Sequence, residues 1–448
     1  MIIVIKQFVN RERELSWMEN YGTEAGSFLV LYGRRRVGKT ELIKEFCKDK
    51  KHLYFLATKK TEKDNMEDLR FQMADFLDDE LFQSIVFNRW EDLFQGFIDK
   101  TEEHVIIALD EFPYLIEENK AIPSIFQKIW DEILKEEDVT LIICGSSIGM
   151  METHVLGYKS PLYGRRTGQW KLTPFKFKEL KEFFPNHSLQ ERLIFYSFLD
   201  GIPMYLALMD PERNPVWNLK NNVLSKGSYL YEEAEKLVTQ ELRKPSNYMS
   251  ILQAVAEGNT KYGEICDRTG FDKSKVSQYL SNLQELHVVK KEFPVTQKKE
   301  SRNALYRLHD NYYDFWFEFL YPNMSMLEEG RIDEVIDQEK LKKHVSFVFE
   351  QICREYLMEE FPKIGRWWGR GEEIDIVGIN RDGTLFGECK YSKNPVSMEL
   401  LDRLKQKSEH VDCKKREFVL FSWSGFEDEL KEEDVRLIGK KELEDHFG

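Results

Sequence analysis

Three short apolar runs in the first third of the chain predict strands that are buried on both faces. They span residues 28–32, 105–109 and 140–144, and a weaker fourth run spans 53–56. Amphipathic segments typical of helices lie between them, among them 39–48 and 122–135. Strands that alternate with helices are joined by right-handed crossovers, so we predict an α/β fold with a mostly parallel sheet and flanking helices.

Beyond residue 171 the strand signal gives way to helical patterns. Prolines interrupt these patterns, namely Pro174, Pro185, Pro203 and Pro215. A compact helical appendix to the sheet is therefore expected, followed by a candidate linker at 243–247. Residues 248–320 predict two or three helices and then two strands. From about 340 a helix precedes a β-rich segment, whose clearest turn is at 380–383.

The composition is that of a folded protein with several domains. The 448 residues correspond to about three domains at roughly 150 residues each. Apolar residues make up 42% and aromatic residues 13% of the chain, which excludes a disordered protein. The 65 Lys and Arg against 79 Asp and Glu give a net charge of −14. This charge excludes a histone-like protein, but not a basic surface on one domain.

Cysteine usage and the N-terminus bear on the compartment. The six cysteines are scattered without a C-x-x-C pair, which favours reduced thiols. Charged residues at 11–14 interrupt the N-terminal apolar run before a signal-peptide core could form. No apolar run approaches the roughly 20 residues of a membrane span. We therefore expect a soluble, cytoplasmic protein that does not interact with membranes.

Residues 33–40 match the pattern G-x-x-x-x-G-K-[ST] in full, directly after the first predicted strand and directly before a predicted helix. Backbone N–H groups of such a loop surround phosphate oxygens, and the helix N-terminus adds a favourable dipole. Lys39 is expected to reach the β- and γ-phosphates of ATP, and Thr40 to bind Mg²⁺. The candidate ATP-binding residues are Gly33, Arg34, Arg35, Arg36, Val37, Gly38, Lys39, Thr40 and Glu41.

Two acids end the apolar run at 105–109 and supply the expected partner of this phosphate loop (residues 33–40). Asp110 is placed to hold the Mg²⁺ shell, and Glu111 to polarise the attacking water. Acids at strand ends are common, so the prediction depends on the phosphate loop. Glu111 favours hydrolysis over nucleotide binding alone.

Several segments together resemble the prokaryotic "archaeal ATPase" family, whose members are AAA+-related, STAND-like P-loop NTPases. The resemblance covers roughly residues 6–325. It is based on the opening segment 8–15, the phosphate loop, the Asp110–Glu111 pair, and the segments 144–147, 161–166 and 172–175.

The resemblance implies roles for further residues. Ser146 or Ser147 would occupy the sensor-1 position and contact the γ-phosphate, and Arg165 or Arg166 would be an arginine finger. A solvated basic pair is the alternative for the arginines. Pro203, in the element 201–203, would lie near the adenine, or would simply begin a helix. Asp200 stands where the family often has a glycine. Arg13 or its neighbours would approach the adenine, and a homo-oligomer is compatible with these features.

Residues 248–308 predict a winged helix-turn-helix. Its helices would span 248–256, 262–268 and 272–286, and strands 288–295 and 304–308 would flank a wing at 298–302. Asp272 is suited to cap the third helix, whose buried stripe would be Val276, Tyr279, Leu280, Leu283 and Leu286. The outer face would present Lys273, Lys275, Ser277, Gln278 and Asn282.

The charge of this segment leaves two functions open. Residues 245–310 contain ten Lys and Arg and eight Asp and Glu, so the segment is only mildly basic. The outer-face residue types contact phosphates and base edges in DNA-binding proteins. In STAND-like ATPases such a module often packs against the ATPase core instead. DNA contact and an internal or protein-contact role therefore remain alternatives.

The sequence from Asp375 to Lys390 predicts an acidic hairpin around Asp382 and Gly383. A two-residue loop would place Asp375 opposite Lys390, so that Glu388 and Lys390 share a face with Asp375. The two carboxylates could hold a second divalent metal, and Glu350 on the preceding helix could add a third carboxylate. Lys390 would steady the attacking water or the phosphate charge.

This arrangement resembles the core of PD-(D/E)XK nucleases and the nuclease-like domain of unknown function that accompanies the ATPase family. Metal-dependent cleavage of DNA and a switch with an inactive C-terminal domain are the two rival functions. Cys389 is interpreted as a small core residue, and Trp367 with Trp368 as packing residues rather than a base-stacking pair. The predicted domains are a P-loop ATPase core (1–170), a helical lid (171–244), a winged helix-turn-helix (245–325) and a PD-(D/E)XK nuclease-like domain (326–448).

Overall fold

The computed structural model describes residues 8–242, 244–297 and 303–448. The chain divides into two compact units, Met1–Pro174 and Phe175–Gly448. The predicted lid (except residues 171–174), the winged-helix segment and the C-terminal segment thus belong to the second unit, and the boundaries between them stay a prediction. Among the described residues, no helix is both long and apolar enough to cross a membrane.

The described part of the first unit contains a five-stranded parallel sheet. Its strands, in the spatial order β2-β3-β4-β1-β5, are β1 (Ser27–Tyr32), β2 (His52–Leu56), β3 (Val105–Asp110), β4 (Val139–Gly145) and β5 (Gly168–Lys171). The predicted parallel sheet is confirmed. β1, β3 and β4 are buried at every position. The sequence pattern missed β5 because this short edge strand alternates between half-buried and exposed residues.

Helices cover both faces of this sheet. They are α1 (Glu12–Gly22), α2 (Lys39–Cys47), α3 (Glu62–Leu77), α4 (Glu80–Ser84), α5 (Trp90–Ile98), α6 (Phe112–Glu118), α7 (Ile122–Ile129) and α8 (Ile148–Met150), with π-helical turns at Trp130–Leu134 and Met151–Val155. Alternate strand residues point to opposite faces. Ile107 and Leu109 therefore belong to one apolar cluster, whereas Ile106 and Ala108 belong to the other, beneath α2.

The second unit begins with helices and ends with a mixed sheet. Its helices are α9 (Leu180–Phe183), α10 (Leu189–Leu199), α11 (Pro203–Ala207), α12 (Pro215–Asn218), α13 (Tyr229–Glu241), α14 (Pro245–Ala256), α15 (Tyr262–Thr269), α16 (Lys273–Glu285), α17 (Asn311–Phe315), α18 (Met324–Glu328), α19 (Ile332–Val335), α20 (Gln338–Leu357), α21 (Met398–Ser408) and α22 (Lys440–Phe447). Shorter turns are π-helical at Leu219–Val223 and Trp316–Leu320, and 3₁₀ at Phe177–Glu179, Tyr321–Asn323 and Asp428–Glu432.

The winged helix-turn-helix is formed by α14, α15 and α16 with the antiparallel strands β6 (Val289–Glu292) and β7 (Leu305–Leu308). The predicted cap is present, since the Asp272 carboxylate accepts a hydrogen bond from Lys275 N at 2.9 Å. Val276, Leu280 and Leu283 are buried. The predicted wing at 298–302 lies outside the described residues.

The C-terminal sheet has the spatial order β12-β11-β10-β9-β8. Its strands are β8 (Lys363–Gly369), β9 (Glu372–Ile379), β10 (Thr384–Lys390), β11 (Arg416–Ser422) and β12 (Arg436–Ile438). β8, β9 and β10 are antiparallel neighbours, whereas β11 and β12 continue the sheet in parallel. The predicted α/β character of this segment is confirmed.

The predicted register of the acidic hairpin was wrong by two residues. Thr384 pairs with Ile379 and Gly387 with Ile376, so a four-residue loop replaces the expected two-residue loop. The Asn380 side chain explains the difference, because its oxygen accepts hydrogen bonds from the backbone N–H groups of Asp382 and Gly383 at 2.9 and 3.0 Å. Because side chains alternate between the two faces of a sheet, a register shift of two residues leaves every side chain on its predicted face.

The segment that follows β6 packs on β8. Val295 N donates to Arg366 O at 2.9 Å, and Val295 belongs to the same apolar cluster as Trp367. Trp368 adds a second connection, since its indole N–H donates to Asn303 O at 2.9 Å. The described residues on either side of the predicted wing are therefore attached to the C-terminal sheet.

Candidate functional site

The phosphate loop connects β1 to α2 and closes around Lys39. Lys39 Nζ donates to the carbonyl oxygens of Gly33 and Arg34, each at 2.9 Å, and the lysine is only 6% exposed. Gly33 packs tightly, because a Cβ atom there would lie 2.2 Å from Leu172 O. Gly38 has a φ of 88°, a conformation that L-residues avoid. The loop backbone thus depends on both glycines.

Asp110 lies at the end of β3 with hydrogen-bond donors on both carboxylate oxygens. Its Oδ2 accepts from Thr40 Oγ1 and from the Tyr54 hydroxyl, each at 2.7 Å, and its Oδ1 accepts from Glu111 N at 2.8 Å. Burial raises the pKa of Asp110, but the donors Thr40, Cys144 and Tyr54 outweigh it and hold this pKa below its ordinary value. Asp110 therefore stays ionised in a site that is 2% exposed.

Glu111 contacts Ser146 at the end of the neighbouring strand β4. Ser146 Oγ lies 2.7 Å from both carboxylate oxygens of Glu111, and Ser146 N donates to one of them at 3.2 Å. Of the two serines singled out from the sequence, Ser146 is the one that meets Glu111, whereas Ser147 precedes α8. Because β1, β4 and β3 are neighbours, their carboxyl ends bring Lys39, Thr40, Asp110, Glu111 and Ser146 together.

The arginine pair is held by contacts inside the first unit. Arg165 Nε lies 2.9 Å from both carboxylate oxygens of Asp131, and Nη2 lies 2.7 Å from one of them. The guanidinium of Arg166 lies 5.6 Å from the ring centre of Tyr163, which is 45% exposed. Arg165 and Arg166 are therefore not a fully solvated pair. A role for either arginine at the nucleotide stays a prediction.

The carboxylates of the acidic hairpin converge with Glu350. Continuing the observed register places Asp375 opposite Glu388 rather than opposite Lys390, with Lys390 on the same face. Burial, followed by the neighbouring charge of Asp375, raises the pKa of Glu350 to about 7. The same two causes raise the pKa of Glu388. Asp375 Oδ2 accepts a hydrogen bond from Cys389 N at 3.0 Å.

Basic side chains lie beside two of these carboxylates, and a metal site at Glu350, Asp375 and Glu388 stays a prediction. Glu388 lies 2.7 Å from Lys407 Nζ and 3.5 Å from Lys390 Nζ. Glu350 lies 3.9 Å from both Arg354 and Arg366. In the part of the chain that the structure describes, no group of three or more His, Cys, Asp or Glu residues could hold a metal ion.

The other residues singled out near this hairpin are buried. Cys389 is 6% exposed, in agreement with a core position. Trp367 and Trp368 are 6% and 9% exposed, so their rings pack inside the protein.

The exposed face of α16 is smaller than predicted. Lys273, Ser277 and Gln278 are exposed. Lys275 instead lies 3.6 Å from the ring centre of Phe271, and Asn282 donates to the hydroxyl of Tyr248 at 2.7 Å. Both side chains contact their own domain, because the third helix turns them toward α14 and the preceding turn.

Three family models match consecutive parts of the chain. "ATPase domain predominantly from Archaea" matches residues 8–209, "Bacterial regulatory protein, arsR family", a helix-turn-helix model, matches 249–291, and "Archaea bacterial proteins of unknown function" matches 316–409. An uncharacterized protein of Methanocaldococcus jannaschii is 39% identical over 399 residues, covering 86% of this chain and 87% of the relative. The chain belongs to the archaeal ATPase family.

Shorter or weaker similarities to other proteins were also found. An uncharacterized ATP-binding protein of the same organism is 52% identical over 48 residues, which cover 10% of this chain and 81% of that protein. Among solved structures, the Walker-type ATPase of Pyrococcus abyssi is 22% identical with a TM-score of 0.49, covering 70% of this chain and 96% of that one. The ORC2 protein of Aeropyrum pernix is 13% identical, also with a TM-score of 0.49, covering 72% and 96%.

The structure of this archaeal ATPase explains the departure at Asp200. Asp200 has φ 56° and ψ −161°, a backbone region that favours glycine. Its carboxylate accepts hydrogen bonds from Gly201 N at 2.6 Å and from Asn311 N at 3.0 Å, which stabilise this conformation. Pro203 occupies the first position of α11, so the helix-start interpretation is confirmed. Contact with the adenine stays a prediction.

The sequence pointed to Arg13 or its neighbours in the N-terminal segment and did not distinguish Arg11 from Arg13. Arg13 is exposed and lines an open groove with Trp17 and Trp170. Arg11 is 6% exposed and donates to Thr173 O at 2.8 Å and to Val37 O, in the phosphate loop, at 3.3 Å. In the sequence the two arginines are equivalent, since the distinction depends on the backbone before α1.

Tyr54 and Lys407 were also missed. Tyr54 is 56 positions from Asp110, and Lys407 is 19 positions from Glu388. Tyrosines in strands and lysines on amphipathic helices are common, and most of them have only a structural role. No motif in the sequence marks either residue.

Proposed function

We propose that this archaeal ATPase binds Mg²⁺–ATP at the phosphate loop, hydrolyses it with Glu111, and uses the nucleotide state to control the winged helix and the C-terminal domain. The observation that supports the site is the convergence of Lys39, Thr40, Asp110 and Glu111 at the ends of neighbouring parallel strands. An open α/β sheet binds its ligands at this edge.

The residues of the site suit a magnesium nucleotide. The Thr40 hydroxyl and the Asp110 carboxylate supply the oxygen ligands that Mg²⁺ prefers. Lys39 brings a positive charge into the loop, where it would exchange the carbonyls of Gly33 and Arg34 for phosphate oxygens. The bound cation would neutralise charge on the phosphates.

Glu111 is assigned as the residue that orients and polarises the attacking water. Its carboxylate is held by Ser146 at 2.7 Å, so Ser146 would fix the direction in which Glu111 accepts a proton. Ser146 would also sense the γ-phosphate, because a phosphate oxygen and Glu111 would compete for the same hydroxyl.

Substitution of Lys39 and Glu111 tests the assignment. Lys39→Ala should abolish ATP binding in isothermal titration, whereas Lys44→Ala, on the exposed side of α2, should bind like the wild type. Normal binding by Lys39→Ala would overturn the proposal. Glu111→Gln should bind ATP but release phosphate at least about 100-fold more slowly.

DNA is the proposed partner of the winged helix. The exposed residues Lys273, Ser277 and Gln278 on α16 are of the types that contact phosphates and bases. A DNA titration at several salt concentrations should show affinity that falls as salt rises. Replacing Lys273 by Ala should reduce that affinity, and unchanged binding would favour a protein-contact role for α16.

Metal-dependent cleavage of nucleic acid is the second candidate function. It is favoured by the shared face of Asp375, Glu388 and Lys390 and by the raised pKa of Glu350. Metal entry would require Lys407 to leave Glu388, which an incoming phosphate could promote by attracting the lysine. In this case the C-terminal site would be active only with substrate bound.

A nuclease assay with Mg²⁺ or Mn²⁺ distinguishes a C-terminal domain that cleaves nucleic acid from one that is catalytically inactive. Cleavage by the wild type that is lost in Asp375→Ala and retained in Asp382→Ala, in the exposed loop, would support the second function. If no nucleotide condition yields cleavage, the C-terminal domain would be an inactive part of an ATP-driven switch.

A further inference from the structure

Tyr54 reaches the phosphate site from β2, a strand that contributes no residue to the family motifs. Its ring packs against the apolar cluster beneath α2. Its hydroxyl donates to Asp110 Oδ2 at 2.7 Å. The same oxygen accepts from the Thr40 hydroxyl, also at 2.7 Å. One carboxylate oxygen is thus shared by a residue proposed to bind Mg²⁺ and by a residue outside the motifs.

The phenolic hydroxyl of Tyr54 points at the Asp110 carboxylate, to which it donates at 2.7 Å. A hydrogen bond from a hydroxyl to a carboxylate is charge-assisted and therefore strong. Cys144, the other neighbouring donor besides Thr40, carries a thiol, which is a weak donor.

We propose that Tyr54 is a positioning residue for magnesium, which holds the Asp110 carboxylate in place when Thr40 turns its hydroxyl toward the cation. The Thr40 hydroxyl would bind either Asp110 or the cation, whereas the Tyr54 hydroxyl is placed to bind Asp110. Hydrogen-bond partners that orient a ligand of a metal commonly change metal affinity when they are removed. This inference rests on the proposed role of Asp110.

Tyr54→Phe tests the proposal, because it removes the hydroxyl and keeps the ring. Isothermal titration of the full chain with ATP, once with Mg²⁺ and once with EDTA, measures the contribution of the cation to binding. In Tyr54→Phe the Mg²⁺ concentration that half-saturates this enhancement should rise about 10-fold. ATP affinity in EDTA should match that of the wild type, and Tyr21→Phe, at a half-exposed tyrosine of α1, should not change either quantity.

Asp110→Asn separates failure of this inference from failure of the proposed function. If Asp110→Asn loses the magnesium enhancement and Tyr54→Phe retains it, Tyr54 has no positioning role. If Asp110→Asn also retains it, the assignment of Asp110 is wrong. In the double variant Tyr54→Phe/Asp110→Asn, any magnesium enhancement that Asp110→Asn retains should be unchanged, because Tyr54 acts through Asp110. A further loss of the same size would mean that Tyr54 acts independently of Asp110.

A fall in ATP affinity that is equal with Mg²⁺ and with EDTA would also overturn the proposal. Such a fall would indicate that Tyr54 merely stabilises the sheet. The thermal unfolding midpoints of Tyr54→Phe and the wild type are measured alongside to identify this outcome.

Discussion

Replacing Arg11 by Ala is expected to destabilise the first unit and weaken ATP binding together. The Arg11 side chain is 7% exposed and forms an ion pair with Glu14 at 2.9 Å. It also donates to Thr173 O at 2.8 Å and to Val37 O at 3.3 Å. Alanine leaves two backbone acceptors and a carboxylate that is 13% exposed without this donor. Val37 belongs to the phosphate loop, so the loop loses a support.

The magnitude follows from the number of groups that lose a charged partner. Hydrogen bonds to charged groups contribute about 1.5–3 kcal/mol each, and breaking a buried ion pair costs about 3–5 kcal/mol. Because the contact with Val37 is long and Glu14 retains some solvent, we expect a loss of about 3 kcal/mol. For a unit of this size that loss corresponds to a decrease of about 6–12 °C in the unfolding midpoint.

Differential scanning calorimetry of the full chain measures this decrease. The transition that ATP shifts upward in the wild type belongs to the first unit. Arg13→Ala is the matched control, because Arg13 is an exposed arginine two positions away. Midpoints of Arg11→Ala and Arg13→Ala within about 2 °C of each other would refute the reasoning.

Three other substitutions test separate features. In Ser146→Ala, phosphate release should slow while ATP affinity stays close to that of the wild type, because Glu111 loses its contacts with the serine hydroxyl. A phosphate-release assay that gives an unchanged rate would contradict this prediction. Gly201→Ala should lower the free energy of unfolding of the second unit by about 3 kcal/mol, because its Cβ would lie 1.7 Å from a backbone oxygen. Gly263→Ala, at a position with open space, is the control. The pKa of Glu350 is about 7 against an ordinary value of 4.5, so ionisation of Glu350 destabilises the folded wild type as pH rises through this interval. The thermal midpoint of Glu350→Gln should therefore rise relative to the wild type between about pH 5 and pH 8, and a constant difference would contradict the raised pKa.

The apolar runs of β1, β3 and β4 could be recognised because strands buried on both faces leave no polar alternation. β5 has half-exposed residues at an edge, and its pairing with β1 is visible only in the folded sheet. The hairpin at Asn380 shows a different limit. Its sequence contains an Asp-Gly pair suited to a two-residue loop, but the side chain of Asn380 selects a longer one.

The phosphate site was largely predictable because its residues are adjacent in the chain or end a buried strand. Lys39, Thr40 and Asp110 lie where the pattern places them. Arg11 and Tyr54 were not predictable, since their partners are 26 and 56 positions away. Such contacts depend on which strands become neighbours, and no local pattern records that.

The attachment of Val295 and Trp368 to β8 limits how the protein can be divided for experiments. A fragment that ends after the winged helix would expose Val295 and remove the backbone partner at Arg366. An isolated C-terminal fragment would leave the indole of Trp368 without the Asn303 carbonyl. Measurements on either fragment would report a surface that the intact chain buries. Chimeras that exchange C-terminal domains between relatives should therefore include residues 289–308 with the sheet.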